Sequence, residues 1–351
     1  MKKMNNLFNM LLLLLLSAGS FAQNDNDKDN DDKAPKRYDF EQKKTYSKSY
    51  SLSSSDKVMI DNRFGSVEIH TWTKNEIKAD IELKTTAKTE EWAKSVLSDL
   101  DIEDSKNGGV VKFKTLFSED LDKKEGGNKH RSKYEGKDSR QTLEINYVVY
   151  MPSGNPLEIE NEFGPTVIPD YSGEVELTSK FGKLETGNLS NVKNINVEFG
   201  KAKFGNLSGG NIAIKYSKAG FARLSGRIKM GVEFSNKITL NLDNNLSALD
   251  LRVSYSTISI KPSSDLAASY TVSTSFGSFR NRTAVKFTSD ADDDDDRRTP
   301  KFDYEYTGKN GSGAVPVKVK SDFSTIIIGD ATEEDFNEKE KRKSKSKAEA
   351  V

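Results

Sequence analysis

Side chains that act as nucleophiles or transition-metal ligands are scarce in this chain of 351 residues. It contains no cysteine, which excludes disulfides, thiolate metal sites and cysteine nucleophiles. His70 and His130 are its 2 histidines, too few for a multi-histidine metal site, and neither has partners at a catalytic spacing. The sequence therefore predicts no catalytic residue, no metal site and no cofactor.

Charged side chains are abundant and balanced. Lysine and arginine total 54, as do aspartate and glutamate, so the formal net charge is zero. That balance argues against a nucleic-acid-binding protein, which needs a basic surplus. The adjacent acids from Asp292 to Asp296 lack the spacing that converges ligands on a cation, so we expect an exposed acidic loop there.

An aromatic residue followed by glycine or serine recurs along the chain and defines an internal repeat. The repeat aromatics are Phe64, Phe163, Phe181, Phe199, Tyr216, Phe234, Tyr255, Phe276 and Phe323. From Phe163 to Phe276 their spacings are 18, 18, 17, 18, 21 and 21 residues. A near-constant period of this length is typical of repeat architectures.

The residues around each aromatic predict a change of strand phase. Counting the aromatic as position n, position n−4 is apolar in every copy, and positions n+3 and n+5 are mostly apolar. Side chains alternate across a strand, so these positions cannot share one face of a straight strand. We therefore expect a corner or bulge just after the aromatic, where glycine or serine tolerates a tight backbone. The copy at Phe234 is irregular, because Lys237 occupies n+3.

The predicted fold is all-β. We expect a parallel β-solenoid with about seven continuous rungs of 17–21 residues, in which stacking buries the aromatics as an inner ladder. A β-sandwich of hairpins is the alternative, although it does not require the same corner residue in each unit. One short helix is predicted over residues 89–100, with Thr89 as N-cap and Trp92, Val96 and Leu97 at helical spacing. It would cover an end or edge of the sheet.

Two charged columns should face outward from the stack. Position n−1 alternates in sign, as Glu162, Lys180, Glu198, Lys215 and Glu233. In register these would form a salt-bridge ladder, and the neighbouring lysines keep the carboxylates ionised, which is wrong for a general acid.

The second column, at position n+2, stacks the like charges Lys183, Lys201 and Lys218. Stacked like charges are unfavourable. One interpretation is a surface for an anionic glycan or a phosphate-bearing polymer. The other is that these lysines pair with nearby acids or extend into water.

The amino terminus predicts export. Residues 1–22 have the features of a secretory signal peptide, with Lys2 and Lys3 before an apolar run and Ser20-Phe21-Ala22 before the expected cleavage site. The run is shorter than the roughly 20 residues that span a bilayer, so no transmembrane segment is expected after cleavage. The mature chain would reside in the periplasm, at the cell surface or outside the cell.

The remaining chain divides by composition. Residues 23–40 are predicted to be a disordered spacer and 41–156 an N-terminal β region containing the helix. Residues 157–330 would form the solenoid repeats, and 331–351 a disordered charged tail.

Several segments resemble one known family. They are Asp61 to Ile69, the helix near Trp92, the strands near Val110 to Phe113 and Leu143 to Tyr150, and the proline-containing stretch from Met151 to Leu157. Over about residues 58–328 the chain resembles the bacterial putative-adhesin β-strand-repeat domain, a family of unknown biochemical function found in exported proteins. The resemblance implies a solenoid-like all-β fold and an exported location, and it supplies no catalytic residues.

The leading functional hypothesis is an exported, non-enzymatic, adhesin-like binding protein. It would present a solenoid face to an envelope or extracellular partner, such as a cell-envelope protein or an anionic glycan. Two alternatives stay open: a polysaccharide-active β-helix enzyme, and an envelope-stress or regulatory component.

Overall fold

The computed structural model describes residues 40–117, 141–290 and 302–337 of the chain. All of them belong to one compact unit, Tyr38–Val351. The predicted signal peptide, the spacer before Phe40, the segment with His130, the run from Asp292 to Asp296 and the tail from residue 338 lie outside the described residues.

Buried residues alternate with more exposed ones along many of the strands. The first strands in chain order are β1 (Phe40–Ser51), β2 (Lys57–Arg63), β3 (Val67–Thr71), β4 (Glu76–Ala87), β5 (Leu100–Asn107), β6 (Val110–Phe117), β7 (Gln141–Met151), β8 (Leu157–Glu162), β9 (Thr166–Ile168), β10 (Tyr171–Lys180) and β11 (Lys183–Thr186). β4 shows the pattern most simply, because its residues are alternately buried and half-buried along the whole strand.

The remaining strands include the three longest, which carry central repeats. They are β12 (Leu189–Glu198), β13 (Lys201–Lys215), β14 (Lys218–Glu233), β15 (Ile238–Ser254), β16 (Thr257–Pro262), β17 (Ala268–Ser275), β18 (Ser278–Asn281), β19 (Phe287–Ser289), β20 (Asp303–Lys309), β21 (Val315–Asp322) and β22 (Thr325–Ile328). A short helical segment at residues 333–337 follows them.

These strands form one 22-stranded mixed sheet, so the all-β expectation is confirmed. Before each repeat aromatic, parallel pairing runs in the order β6, β2, β8, β10, β12, β13, β14, β15, β21 and β17. After it, a second parallel series runs β7, β3, β9, β11, β13, β14, β15, β16, β22 and β18. Antiparallel pairing joins β1 to β4, β4 to β7, β5 to β6 and β20 to both β17 and β19.

The core lies between the two parallel series. All apolar residues predicted at position n−4 are buried there, from Ile60 to Val319. Equivalent residues pair in register, as Ile195 with Ile212 and Ile212 with Met230. Burial of these aliphatic columns contributes about 1.5–3 kcal/mol per side chain and is the main force that holds the paired strands together.

The predicted helix is confirmed as α1 (Glu90–Ser98). The Thr89 hydroxyl accepts a hydrogen bond from the Trp92 backbone N–H at 3.2 Å, and Glu90 and Glu91 lie in the positive first turn. α1 buries Ala93 and Val96 and packs on β1 and β4.

The predicted inner ladder of aromatics is wrong. The nine repeat aromatics line up along the stack, but each is 39–53% exposed and lies on the outer surface. Each adopts a left-handed backbone, with φ between 49° and 61°. A left-handed residue breaks the alternation of the strand at position n itself, which sends the ring outward and returns the next residues to the core.

Two details of the predicted order also change. β21 lies between β15 and β17, so Phe323 separates Tyr255 from Phe276 and the run from Phe163 to Phe276 is not continuous. In the irregular copy, Lys237 also has a left-handed backbone, with φ 63°, and is one residue more than the other copies have at this point. Ile238 then takes the inward position and pairs with Ala219 and Ile258.

Candidate functional site

The outward aromatics form one continuous stack, which we call the ring ladder. In spatial order it comprises Phe64, Phe163, Phe181, Phe199, Tyr216, Phe234, Tyr255, Phe323, Phe276 and Phe302. Neighbouring centroids are 4.7–5.1 Å apart and the rings are within 17° of parallel. The sequence repeat missed Phe302, because neither glycine nor serine follows it.

This stacking decides which part of each ring a ligand meets. Both faces of the rings from Phe163 to Phe276 are covered by neighbours, so only their edges reach solvent. The faces of an aromatic ring are negative and its edges positive. The ring ladder therefore offers no face on which a sugar can stack along its length, and its exposed rim suits an anion.

The residue that follows each ring of the ring ladder is glycine in the first copies and serine in the next ones. The glycine corner comprises Gly65, Gly164, Gly182 and Gly200. A Cβ on Gly182 would lie 2.0 Å from the Gly164 carbonyl oxygen, and one on Gly164 would lie 1.9 Å from the Gly65 oxygen. Gly277, at the far end of the stack, makes the same kind of approach, because a Cβ there would lie 2.5 Å from the Ser324 carbonyl oxygen. No side chain fits such an approach, so glycine is required here by closeness and not by a positive φ.

The serine corner comprises Ser217, Ser235, Ser256 and Ser324, which are all buried. Each hydroxyl accepts a hydrogen bond from the N–H of the equivalent residue on the neighbouring rung, at 2.9–3.1 Å. Each also donates to the carbonyl two residues earlier in its own rung, at 2.7–2.8 Å. The hydroxyls therefore link successive rungs through buried, satisfied bonds.

The lysines singled out by the sequence come together beside the ring ladder, and we call them the lysine column. Lys183 pairs in register with Lys201, and Lys201 with Lys218. With the adjacent rings and corner residues they line an open groove of about 500 Å³. Neighbouring parallel strands are about 4.8 Å apart, so three exposed ammonium groups project from consecutive rungs.

The lysine column is only partly neutralised. Lys183 forms an ion pair with Glu185 at 2.6 Å. Within the described ranges, Lys201 and Lys218 have no carboxylate within 4.0 Å. Their repulsion remains uncompensated in this region, and an anionic ligand would relieve it.

The n−1 column places its charges on consecutive rungs. Lys180 and Glu162 are 3.4 Å apart, and Lys215 and Glu233 are 3.5 Å apart. Glu198 accepts a hydrogen bond from the Asn196 amide at 3.0 Å. The column therefore contains two cross-strand ion pairs, and among the described residues Glu198, between them, has no ion pair.

His70 and the buried Tyr171 both have contacts of a structural kind. His70 lies 3.0 Å from a Glu68 carboxylate oxygen and its ring stacks on Tyr150 with centroids 5.0 Å apart. Tyr171 is buried, its hydroxyl donates to the Asn155 carbonyl at 2.7 Å, and burial raises its pKa. Among described residues, no group of three or more metal-binding side chains converges.

A buried ion cluster near the last rungs had no sequence signal. Arg280 and Arg282 each place a guanidinium 2.7–2.8 Å from the Asp335 carboxylate, which is 5% exposed. Burial alone would raise the pKa of Asp335, but hydrogen bonds from Arg282 and Thr332 hold it well below its usual range. These ion pairs hold residues 332–335 against the end of β18. The paired residues are 53 and 55 positions apart in the chain, so no local sequence pattern predicts the contact.

No part of the structure that is described contains a helix long and apolar enough to cross a membrane. No protein-family model matches the chain, and no curated protein does.

Three solved structures are similar to the chain at low identity. One is a putative adhesin from Bacteroides fragilis, with 10% identity, 81% of this chain and 97% of that chain covered, and a TM-score of 0.34. A putative cell adhesion protein from Clostridium sporogenes has 12% identity, 82% and 99% coverage, and a TM-score of 0.25. A putative lipid binding protein from Parabacteroides distasonis has 10% identity, 82% and 97% coverage, and a TM-score of 0.30. Two of these three structures have adhesion-related names, as does the family that the sequence resembles.

Proposed function

We propose that this chain is an exported, non-enzymatic binding protein that presents the lysine column and the ring ladder to an anionic polymer of the envelope or the cell exterior. The features of residues 1–22 support export. The pairing of the Glu162 and Glu233 carboxylates with lysines supports a binding role over acid catalysis.

One observation carries the choice of ligand. Lys201 and Lys218 stack in register and have no carboxylate partner among the described residues. A polymer with anionic groups along its length would place a charge near each ammonium group, and the positive ring edges would add to the attraction. A neutral glycan gains neither contribution.

The fold interpretation that accompanies this function is a parallel β-solenoid. It is supported by the two parallel series, in which equivalent residues of successive repeats pair in register. Each rung repeats the same outward positions, so a solenoid converts a sequence period into a linear row of binding groups. A sandwich of hairpins would not align three lysines in this way.

The test is binding of sodium polygalacturonate and of inorganic polyphosphate, with neutral dextran for comparison. We expect both anionic polymers to bind in low salt and the triple variant K183Q/K201Q/K218Q to bind at least about tenfold more weakly. Because the attraction is between exposed charges, raising the salt concentration should weaken it. Biolayer interferometry on the full chain gives both affinities.

A matched control removes the same charge elsewhere. Lys286, Lys309 and Lys318 are exposed, and K286Q/K309Q/K318Q should leave the affinity within about twofold of the unchanged chain. Equal losses in both triple variants would show a general charge effect, and binding of dextran alone would contradict the proposal.

A further inference from the structure

A second surface, on the strands that precede the corner, has a shape and charge distribution of its own. The outward n−3 residues form its floor, and they become small at Ala213 and Gly231. Asn194, Asn211 and Lys229 line one side. The depression measures about 550 Å³, and we call it the polar trench.

The polar trench is open along its middle. A Cβ placed on Gly231 would meet no atom within 4 Å, so the space above this glycine is empty within the fold. Asn196 lies in the floor between Thr178 and Ala213, in register with both. Its Oδ1 accepts no hydrogen bond from any described residue, which is uncommon for a sheltered acceptor.

The two ends of the polar trench carry opposite charge. At one end are Glu158, Glu160 and Glu176. Lys57 lies 2.5 Å from Glu158 and 3.1 Å from Glu176, and Lys193 lies 2.9 Å from Glu176, but Glu160 has no ion pair with a described residue.

At the other end are Lys229 and Arg252, which likewise have no carboxylate within 4.0 Å in the described ranges. The floor between the ends is neutral. A uniformly anionic or cationic chain would meet repulsion at one end, whereas a ligand with opposite charges at its ends would be attracted at both.

The length of the polar trench follows from the register. Glu160, Thr178, Asn196, Ala213, Gly231 and Arg252 occupy successive rungs. Five steps of about 4.8 Å place Glu160 about 24 Å from Arg252. An extended peptide covers that distance with about seven residues.

We infer that the polar trench is a binding site for an extended peptide segment with basic residues at one end and acidic residues at the other. The basic end would lie at Glu160 and the acidic end at Lys229 and Arg252. Backbone N–H and C=O groups of the peptide would meet the amides of Asn194, Asn196 and Asn211. This site is separate from the lysine column, whose ligand carries one sign of charge.

The experiment is isothermal titration calorimetry of the full chain with an unlabelled seven-residue peptide. The peptide has two basic residues at its amino end, two acidic residues at its carboxyl end, and serine and glycine between. We expect it to bind, and all-acidic and all-basic peptides of the same length to bind at least about tenfold more weakly. Cellohexaose serves as a neutral glycan of comparable extent.

Two glycines supply matched variants. An added Cβ at Gly231 meets no atom within 4 Å, so Gly231→Leu should fill part of the polar trench and weaken peptide binding at least about tenfold. Gly220 also has no atom within 4 Å of an added Cβ, but it lies after the corner, so Gly220→Leu should leave the affinity unchanged. Arg252→Ala should weaken binding about threefold or more, with an effect that shrinks in high salt.

Three outcomes overturn the inference. They are no binding of the mixed-charge peptide, binding that Gly231→Leu leaves intact, and binding of cellohexaose in place of the peptide. A urea transition for Gly231→Leu that matches that of the unchanged chain establishes that any loss of affinity comes from the filled trench.

Discussion

The glycine corner and the serine corner build the same turn in two ways. Along both, the aromatic takes a left-handed φ and its ring joins one ladder. In the glycine corner, backbone approaches backbone so closely that no Cβ fits. In the serine corner a Cβ is present, and its hydroxyl joins the neighbouring rung by hydrogen bonds. The copies from Gly65 to Gly200 therefore depend on an absent side chain and the next four, from Ser217 to Ser324, on a buried hydroxyl, before Gly277 returns to the first type.

This difference shows that the register of the paired strands does not depend on how the corner residue packs. The aliphatic columns and the ring ladder run through both halves with the same order and spacing. The corner residue only has to avoid a clash and leave no backbone group unpaired. Changing one corner residue to the other type should therefore disturb its contacts with the neighbouring strand, although glycine and serine already meet at Gly200 and Ser217.

The largest expected effect comes from adding one methyl group to the glycine corner. In Gly182→Ala the new Cβ would lie 2.0 Å from the Gly164 oxygen, so the rungs must separate. We expect a loss of about 3 kcal/mol in the free energy of unfolding, measured by urea denaturation. Gly220→Ala has open space and should be neutral or slightly stabilising. A neutral Gly182→Ala would remove the distinction between the corners.

The serine corner should respond to loss of the hydroxyl alone. Ser256→Ala keeps the Cβ but leaves the Ser235 N–H without its acceptor at 2.9 Å. Burial of an unpaired donor predicts a loss of about 2 kcal/mol in the same denaturation experiment. Ser247 is exposed, and Ser247→Ala is the control, expected to change the unfolding free energy by less than about 0.5 kcal/mol.

Removal of one ring from the ring ladder should cost the same unfolding free energy beside the glycine corner as beside the serine corner. Phe181 stacks at 4.8 and 4.9 Å and Phe234 at 5.0 and 4.9 Å from its neighbours. Phe181→Ala and Phe234→Ala should each lose two stacked contacts and about 1–2 kcal/mol of unfolding free energy. Losses that differ by more than about 1 kcal/mol would show that the type of corner residue also changes how much each stacked ring stabilises the fold.

The smallest effect concerns acid sensitivity in the glycine half. Hydrogen bonding from Lys193, assisted by Asn194 and Lys57 and opposed by burial, lowers the pKa of Glu176 to about 2. A depressed carboxyl pKa stabilises the fold above the unfolded value of about 4.3, and this is lost as pH falls toward about 2. Glu176→Gln should cost about 1 kcal/mol at neutral pH.

The pH profile provides the check. The stabilities of the unchanged chain and of Glu176→Gln should converge as pH approaches about 2. A difference that stays constant with pH would assign the loss to packing rather than to the ionised carboxylate.

The position of the rings marks where sequence reasoning reached its limit. The opposite parity of n−4 and n+3 correctly requires a phase change near the aromatic. Parity alone cannot tell whether the phase change occurs at n or just after n, because both positions of the change bury residues n−4 and n+3. A phase change after n would put the ring inside, whereas a left-handed residue at n puts the ring outside. The glycine that follows the aromatic favours a phase change after n. The φ values near 50–60° at the aromatics select the second.

The amino-acid sequence by itself determined the all-β class, the helix capped by Thr89, the period of the rungs and the residues that share a column, because alternation and spacing act locally. Only the tertiary structure decided that Phe323 lies between Tyr255 and Phe276, that the rings face outward, and that Arg280 and Arg282 hold Asp335. These arrangements depend on which distant strands pair and on how one residue turns its backbone. Both are set by contacts between segments far apart in the chain.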